Sequence, residues 1–246
     1  MQKLCSVLVV GLVAASALPA TASVHTIAAH SGPLHMLGAP GANLQSSNWS
    51  GYAAHGVKGT FTNVAASWVE PTGKCTSATT YSSFWVGLDG YHSNSVEQTG
   101  SSVDCSSGSP VYYAWYEMFP KFPKKLKLTI SPGDHITASV TTDSHGSFTM
   151  KLTDTTTGHG QTVVKMLASA KLKSAEVIAE APSSGTGVLP LTNFGKVNFS
   201  NASMNGGSLT AANSDKITMV LSNGHPKATP SAITGGNAFS VTWNHQ

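Results

Sequence analysis

"KLKLTISPGDHITASVTTDSHGSFTMKLTDTTTGHGQTVVKML", residues Lys125 to Leu167, decides the fold. "KLKLTI" reads as a strand, "SPGD" turns it into "HITASVTTD", "SHG" turns that into "SFTMKLTD", and "TTTGHG" leads to "QTVVKML". Turn residues at such short intervals between β-prone runs predict an antiparallel meander. The same grammar continues outward. "FTNVAASWVEP" (Phe61 to Pro71), "YSSFWVGLDG" (Tyr81 to Gly90) and "VYYAWYEMFP" (Val111 to Pro120) precede it. "SAEVIAEAP" (Ser174 to Pro182), "GKVNFSNAS" (Gly195 to Ser203), "KITMVLS" (Lys216 to Ser222) and "AFSVTWN" (Ala238 to Asn244) follow. Only Thr162 to Lys173 offers a helical alternative, and no repeat of fixed period is visible. Many short strands at this spacing predict one all-β domain, an antiparallel sandwich or barrel.

Composition narrows the class of function. Only 10% of the 246 residues are charged, and all fourteen basic residues are lysines. Without arginine there is no bidentate recognition of phosphate. The net charge of +3 is small, and "KFPKKLK" (Lys121 to Lys127) is the one lysine cluster. Nucleic acid is therefore not an expected partner. The N-terminus has Lys3, an apolar run from Leu4 to Leu18 and a small-x-small site at Ala20 to Ala22. This reads as a signal peptide over residues 1–22, so export and no membrane association after its removal are expected. Residues 23–47 carry His25, His30 and His35 but no acid or lysine, and read as a propeptide or linker before a domain at 48–246. Those histidines read either as a solvated tail or as a device that loosens the segment from the domain on protonation. Cys5 leaves with the signal, and Cys75 and Cys105 are expected to form a disulfide in an oxidising compartment.

The eleven carboxylates are the informative chemistry. Asp104, Asp134, Asp143, Asp154 and Asp215 sit in turn-like places, whereas Asp89 ends an aromatic strand and Glu117 lies among aromatics. Glu176 and Glu180 share parity, so on a strand both emerge on one face, lining a cleft or a solvent-facing edge. No GxSxG, HExxH or phosphate-binding glycine loop is present, and no metal motif.

"SNWSGY" (Ser47 to Tyr52), "FWVGLDG" (Phe84 to Gly90), "EQTG" (Glu97 to Gly100), "YAWYEMFP" (Tyr113 to Pro120) and "AEVIAEAP" (Ala175 to Pro182) stand in the order found in the glutamic peptidases. From Asn48 to the last strand the chain resembles that family, the eqolisins or family G1, and "LTNFGKVNF" (Leu191 to Phe199) looks like its bacterial branch. The resemblance implies a β-sandwich of two large curved antiparallel sheets, a concanavalin A-like jelly roll. It also implies acid-active endopeptidase chemistry on polypeptide substrates, with no cofactor or metal, in a monomer. The catalytic glutamate and glutamine of the family fall on Glu180 and Gln98. Trp85, Asp89, Trp115, Glu117 and Glu176 fall on positions that line the cleft or support the dyad.

These residue types suit the reaction. A carboxylate at Glu180 can take a proton from water and pass it to the leaving amine, while an amide at Gln98 can donate to the oxyanion and never titrates. The expected Cys75–Cys105 bridge would restrain the region presenting Gln98. The chain departs from the fungal pattern at Tyr113, Ala181 and Pro182, where acidic residues stand in those relatives, and the Asp89 to Gln98 segment is one residue shorter. Two other readings compete: a jelly-roll glycoside hydrolase using Glu117 and Glu180, and a non-catalytic carbohydrate-binding module.

Overall fold

The computed structural model describes residues 43–246 apart from His92, Ala211 and Ala212. The expected signal peptide, Cys5 and the histidines at 25, 30 and 35 lie outside the described residues. Eighteen strands follow one another, with no helix among the described residues. They are β1 (Asn43–Ser46), β2 (Trp49–His55), β3 (Asn63–Val69), β4 (Ser83–Leu88), β5 (Val96–Ser106) and β6 (Ser109–Phe119). Next come β7 (Lys124–Lys125), β8 (His135–Thr142), β9 (Ser147–Asp154), β10 (His159–Met166), β11 (Ser174–Glu180) and β12 (Ser183–Ser184). The last are β13 (Gly187–Val188), β14 (Lys196–Met204), β15 (Gly207–Ser208), β16 (Asp215–Val220), β17 (Pro226–Pro230) and β18 (Phe239–Trp243).

Hydrogen bonding runs β10-β9-β8-β3-β14-β18-β17-β16-β2-β11-β4-β5-β6-β7, antiparallel along this path. The ribbon folds on itself, so β3, β8 and β9 pack over β4 and β5. The expected all-β sandwich is borne out. In the first layer the period-2 pattern is clean: Ile136, Ala138 and Val140 of β8, and Phe148, Met150 and Leu152 of β9, point into the core. Trp68, Phe84, Val86, Val177, Phe199 and Val241 meet them there. The second layer differs, because β11, β4 and nearly all of β5 are buried on both faces. Their outer face carries a separate cluster that includes Leu44, Trp49, Trp85, Tyr91, Trp115 and Ile178.

Two expectations are corrected. "KLKLTI" is a strand only at Lys125: the Leu126 N–H reaches the Ala114 carbonyl on β6, and the Lys127 N–H then bonds Gln161 Oε1 on β10. A chain crossing between layers cannot stay in one ladder. Thr162 to Lys173 is not helical; its first part is β10, registered on β9 from Thr162↔Lys151 to Met166↔Ser147. Residues 43–46, within the stretch read as propeptide or linker, form β1, which pairs in parallel with β16.

Candidate active site

The ladder brings the sequence-singled residues onto the outer face of the second layer in three register rows. Glu176, Gly87, Gln98 and Glu117 form one row, across β11, β4, β5 and β6. Ile178, Trp85, Gly100 and Trp115 form the next, and Glu180, Ser83, Ser102 and Tyr113 the third. Gln98 and Glu180 thus share a face but lie two rows apart on strands separated by β4. Neither has exposed surface.

Trp85 occupies the row between them. Its Nε1–H donates to Glu180 Oε2 at 2.8 Å, and Asn48 Nδ2 donates to Glu180 Oε1 at 3.4 Å. Trp49 packs edge-on against the Trp85 ring with centroids 5.0 Å apart. The indole fits because two neighbours lack side chains. A Cβ on Gly87 would lie 2.9 Å from Trp85 Cζ3, and one on Gly100 would lie 2.2 Å from the Phe84 carbonyl oxygen and 2.6 Å from Trp85 Cβ.

Gln98 is oriented from its other side. Its Nε2 donates to Glu117 Oε2 at 2.7 Å. An ionised carboxylate only accepts, so this contact turns the amide NH2 toward Glu117 and the carbonyl oxygen away. That oxygen is buried with no hydrogen-bond partner among the described residues. Trp115 is anchored through Nε1 to Ser102 Oγ at 2.9 Å, and Ser102 also meets Ser83 Oγ at 2.7 Å.

Glu176, in Gln98's row, is fully buried, and burial pushes its pKa well above the usual carboxylate range. The Ser174 hydroxyl and the Tyr91 N–H partly oppose that rise, although neither completes a hydrogen bond to it. Asp89 plays a different part from the other cleft candidates. Its carboxylate accepts from the backbone N–H groups of Lys171, Leu172 and Lys173 at 2.7, 2.7 and 2.8 Å. Those bonds fix the chain as it enters β11, so Asp89 positions Glu176 and Glu180 through the backbone.

Cys75 and Cys105 are disulfide-bonded. Cys105 lies on β5 itself, seven residues beyond Gln98, which is about 24 Å along an extended strand. The bridge therefore ties the β3–β4 connection to the far end of β5 and does not hold the Gln98 end. Sequence reasoning missed Asn48 as a partner of Glu180, although "SNWSGY" contains it. It also missed Ser83 and Ser102, for which a lone serine in a serine-rich chain gives no signal.

A two-layer β-sandwich whose outer face buries the Gln98 amide and the Glu117, Glu176 and Glu180 carboxylates among tryptophans is the class this site defines. The chain belongs to the Peptidase A4 family, whose model matches residues 47–243. It is 30% identical over 166 residues to Aspergillopepsin-2 of Aspergillus niger, which covers 65% of this chain and 58% of that protein. Among solved structures it is similar to scytalido-glutamic peptidase with a transition state analog inhibitor, at 27% identity and a TM-score of 0.70. That match covers 80% of this chain and 98% of the other. Aspergilloglutamic peptidase from Aspergillus niger matches at 28% identity and a TM-score of 0.60, over 67% of this chain and 99% of the other. The expected membership of the glutamic peptidases is borne out, and neither the glycoside hydrolase nor the carbohydrate-binding reading gains support.

Proposed function

We propose that the chain is an exported, acid-active endopeptidase in which Glu180 and Gln98 form the catalytic pair. The observation that carries this reading is the opposed anchoring of the two side chains. Glu180 is held by N–H groups of Trp85 and Asn48, and Gln98 by Glu117, on one face of one sheet. Glu180 takes a proton from the attacking water as the water's oxygen bonds to the scissile carbonyl carbon. It then returns the proton to the leaving nitrogen as the C–N bond breaks. The second N–H of Gln98, not used by Glu117, donates to the oxyanion, and its unpartnered carbonyl oxygen accepts from the water. In a site closed to bulk water these contacts are stronger than in solution.

Export is supported by the disulfide, which belongs to oxidising compartments. Residues 1–22 are the proposed signal peptide, 23–47 the propeptide or linker and 48–246 the peptidase domain. The full burial of Gln98 and Glu180 favours the propeptide alternative, since a closed pair has to be opened before turnover. N-terminal sequencing of acid-incubated protein would locate that cut. The chemistry is tested by digestion of a denatured protein at about pH 4, within the range where a free glutamate begins to ionise. Glu180→Gln and Gln98→Ala are each expected to abolish turnover while the far-ultraviolet spectrum is retained; wild-type activity in either overturns the assignment.

A further inference from the structure

One register row beyond Gln98 and Glu117, Val96 pairs with Phe119, about 7 Å further along the strands. Phe119 packs against the outer-face cluster that contains Trp85 and Trp115. It also forms one wall of a cleft of about 380 Å³, lined further by Ser93, Ser95, Leu167, Lys171 and Lys173. The described lining includes two lysines and no carboxylate.

This cleft is built rather than incidental. Leu172 is buried in the sandwich core, so its neighbours Lys171 and Lys173 are turned outward together. The chain takes a left-handed conformation at Leu172, with φ of 54°, an uncommon one for a bulky residue. Asp89, itself at φ 65°, holds that shape by accepting all three N–H groups of residues 171–173. The opposite wall is fixed as well: the Gly90 N–H donates to Ser93 Oγ at 2.9 Å, and Ser93 Oγ donates to the Ser95 carbonyl at 3.2 Å. The backbone that presents Lys171 and Lys173 to the cleft is therefore ordered in advance beside the proposed site.

We infer that this cleft is a substrate subsite that takes an anionic side chain two to three residues from the scissile bond. The inference rests on the proposed peptidase reading. The spacing follows from the chain itself, since an extended peptide advances about 3.3 Å per residue and the cleft begins about 7 Å from the Gln98 row.

The test uses quenched fluorescent peptides differing at one position, two or three residues to either side of the scissile bond. Each position carries Ser, phosphoserine, Glu or Lys. Wild type is expected to favour phosphoserine or Glu over Ser by about 10-fold in kcat/KM at one of these positions, and to disfavour Lys there. A gain with Glu alone identifies carboxylate recognition, and a gain with phosphoserine alone identifies phosphate. In Lys171→Ala/Lys173→Ala the ratio is expected to collapse toward one, and in Lys171→Arg/Lys173→Arg to persist. These substitutions leave the N–H groups bonded to Asp89 in place. Absence of any anion preference in wild type, or its survival in the alanine variant, overturns the subsite. Should wild type cleave none of the peptides, the peptidase reading fails. Calorimetric binding of the phosphoserine and Ser peptides to wild type and the alanine variant then decides the cleft alone: equal affinities overturn it.

Discussion

Trp85 Nε1 lies 2.8 Å from Glu180 Oε2, and the same indole rests on the bare backbone of Gly87, the register partner of Gln98. One side chain therefore spans the two rows that separate the proposed catalytic groups. It fixes the carboxylate at one end and fills the space beside the amide at the other.

Trp85→Phe keeps a ring in the row but removes the donor. A hydrogen bond to a charged group contributes about 1.5–3 kcal/mol, so kcat is expected to fall about 10- to 100-fold. KM should change little if the ring still packs on Trp49. Steady-state kinetics on one peptide checks this; an unchanged kcat would remove the N–H from the mechanism.

Gly87→Ala places a methyl where the Trp85 ring already lies, 2.9 Å from Cζ3. Overpacking of this kind costs about 1–3 kcal/mol of stability. Because the ring is displaced toward Glu180, kcat is expected to fall as well, although position 87 carries no functional group. A variant that is less stable but fully active would show that the indole's position is not critical.

The disulfide separates stability from activity. Cross-linking residues 75 and 105 restricts the unfolded chain, and its loss in Cys75→Ala/Cys105→Ala is expected to cost about 3–4 kcal/mol. The bridge lies at the end of β5 remote from Gln98, so kcat measured below the lowered Tm should match wild type. Urea unfolding and kinetics on the same preparation test both halves.

What the sequence reveals follows from how each strand is exposed. β8 and β9 have one face in the core and one toward solvent, so alternation and turn residues announce them. β5 is silent: Glu97, Thr99 and Ser101 face the core while Gln98, Gly100 and Ser102 face outward, and a two-sided polar run carries no period. β2 escapes for a related reason, since nearly all of "WSGYAAH" is buried and small residues dominate it. Parity placed Glu176 and Glu180 on one face, but their inequality needed the family resemblance. The family resemblance put Asp89 among the residues that line the cleft or support the dyad. Its carboxylate is instead occupied by a backbone segment more than eighty residues away, which no local pattern encodes.

The acid groups that catalysis does not use set how stability varies with pH. Burial raises the pKa of Glu70 to about 8, against hydrogen bonds from Ser101 and Trp68 that lower it. Burial, reinforced by the charge of Asp89, raises Glu97 to about 8 as well, and Glu176 rises well above the usual range for the same first cause. A carboxyl whose folded pKa exceeds its unfolded value contributes stability that is fully present below the unfolded value. That stability is lost as pH rises toward the folded value. For these glutamates the loss begins near the ordinary glutamate value of 4.5 and extends to about pH 8. Asp143 works in the opposite sense: N–H groups of His145 and Ser147 hold it below the ordinary aspartate value of 3.8, so its contribution disappears as pH falls below that. Tm at constant ionic strength is therefore expected to peak near pH 4 and decline steadily to pH 8. Glu97→Gln, which keeps a neutral polar group of the same shape, should flatten part of that decline. A Tm that rises between pH 5 and 8, or a Glu97→Gln curve parallel to wild type, would show that these buried carboxyls are not held neutral by the fold.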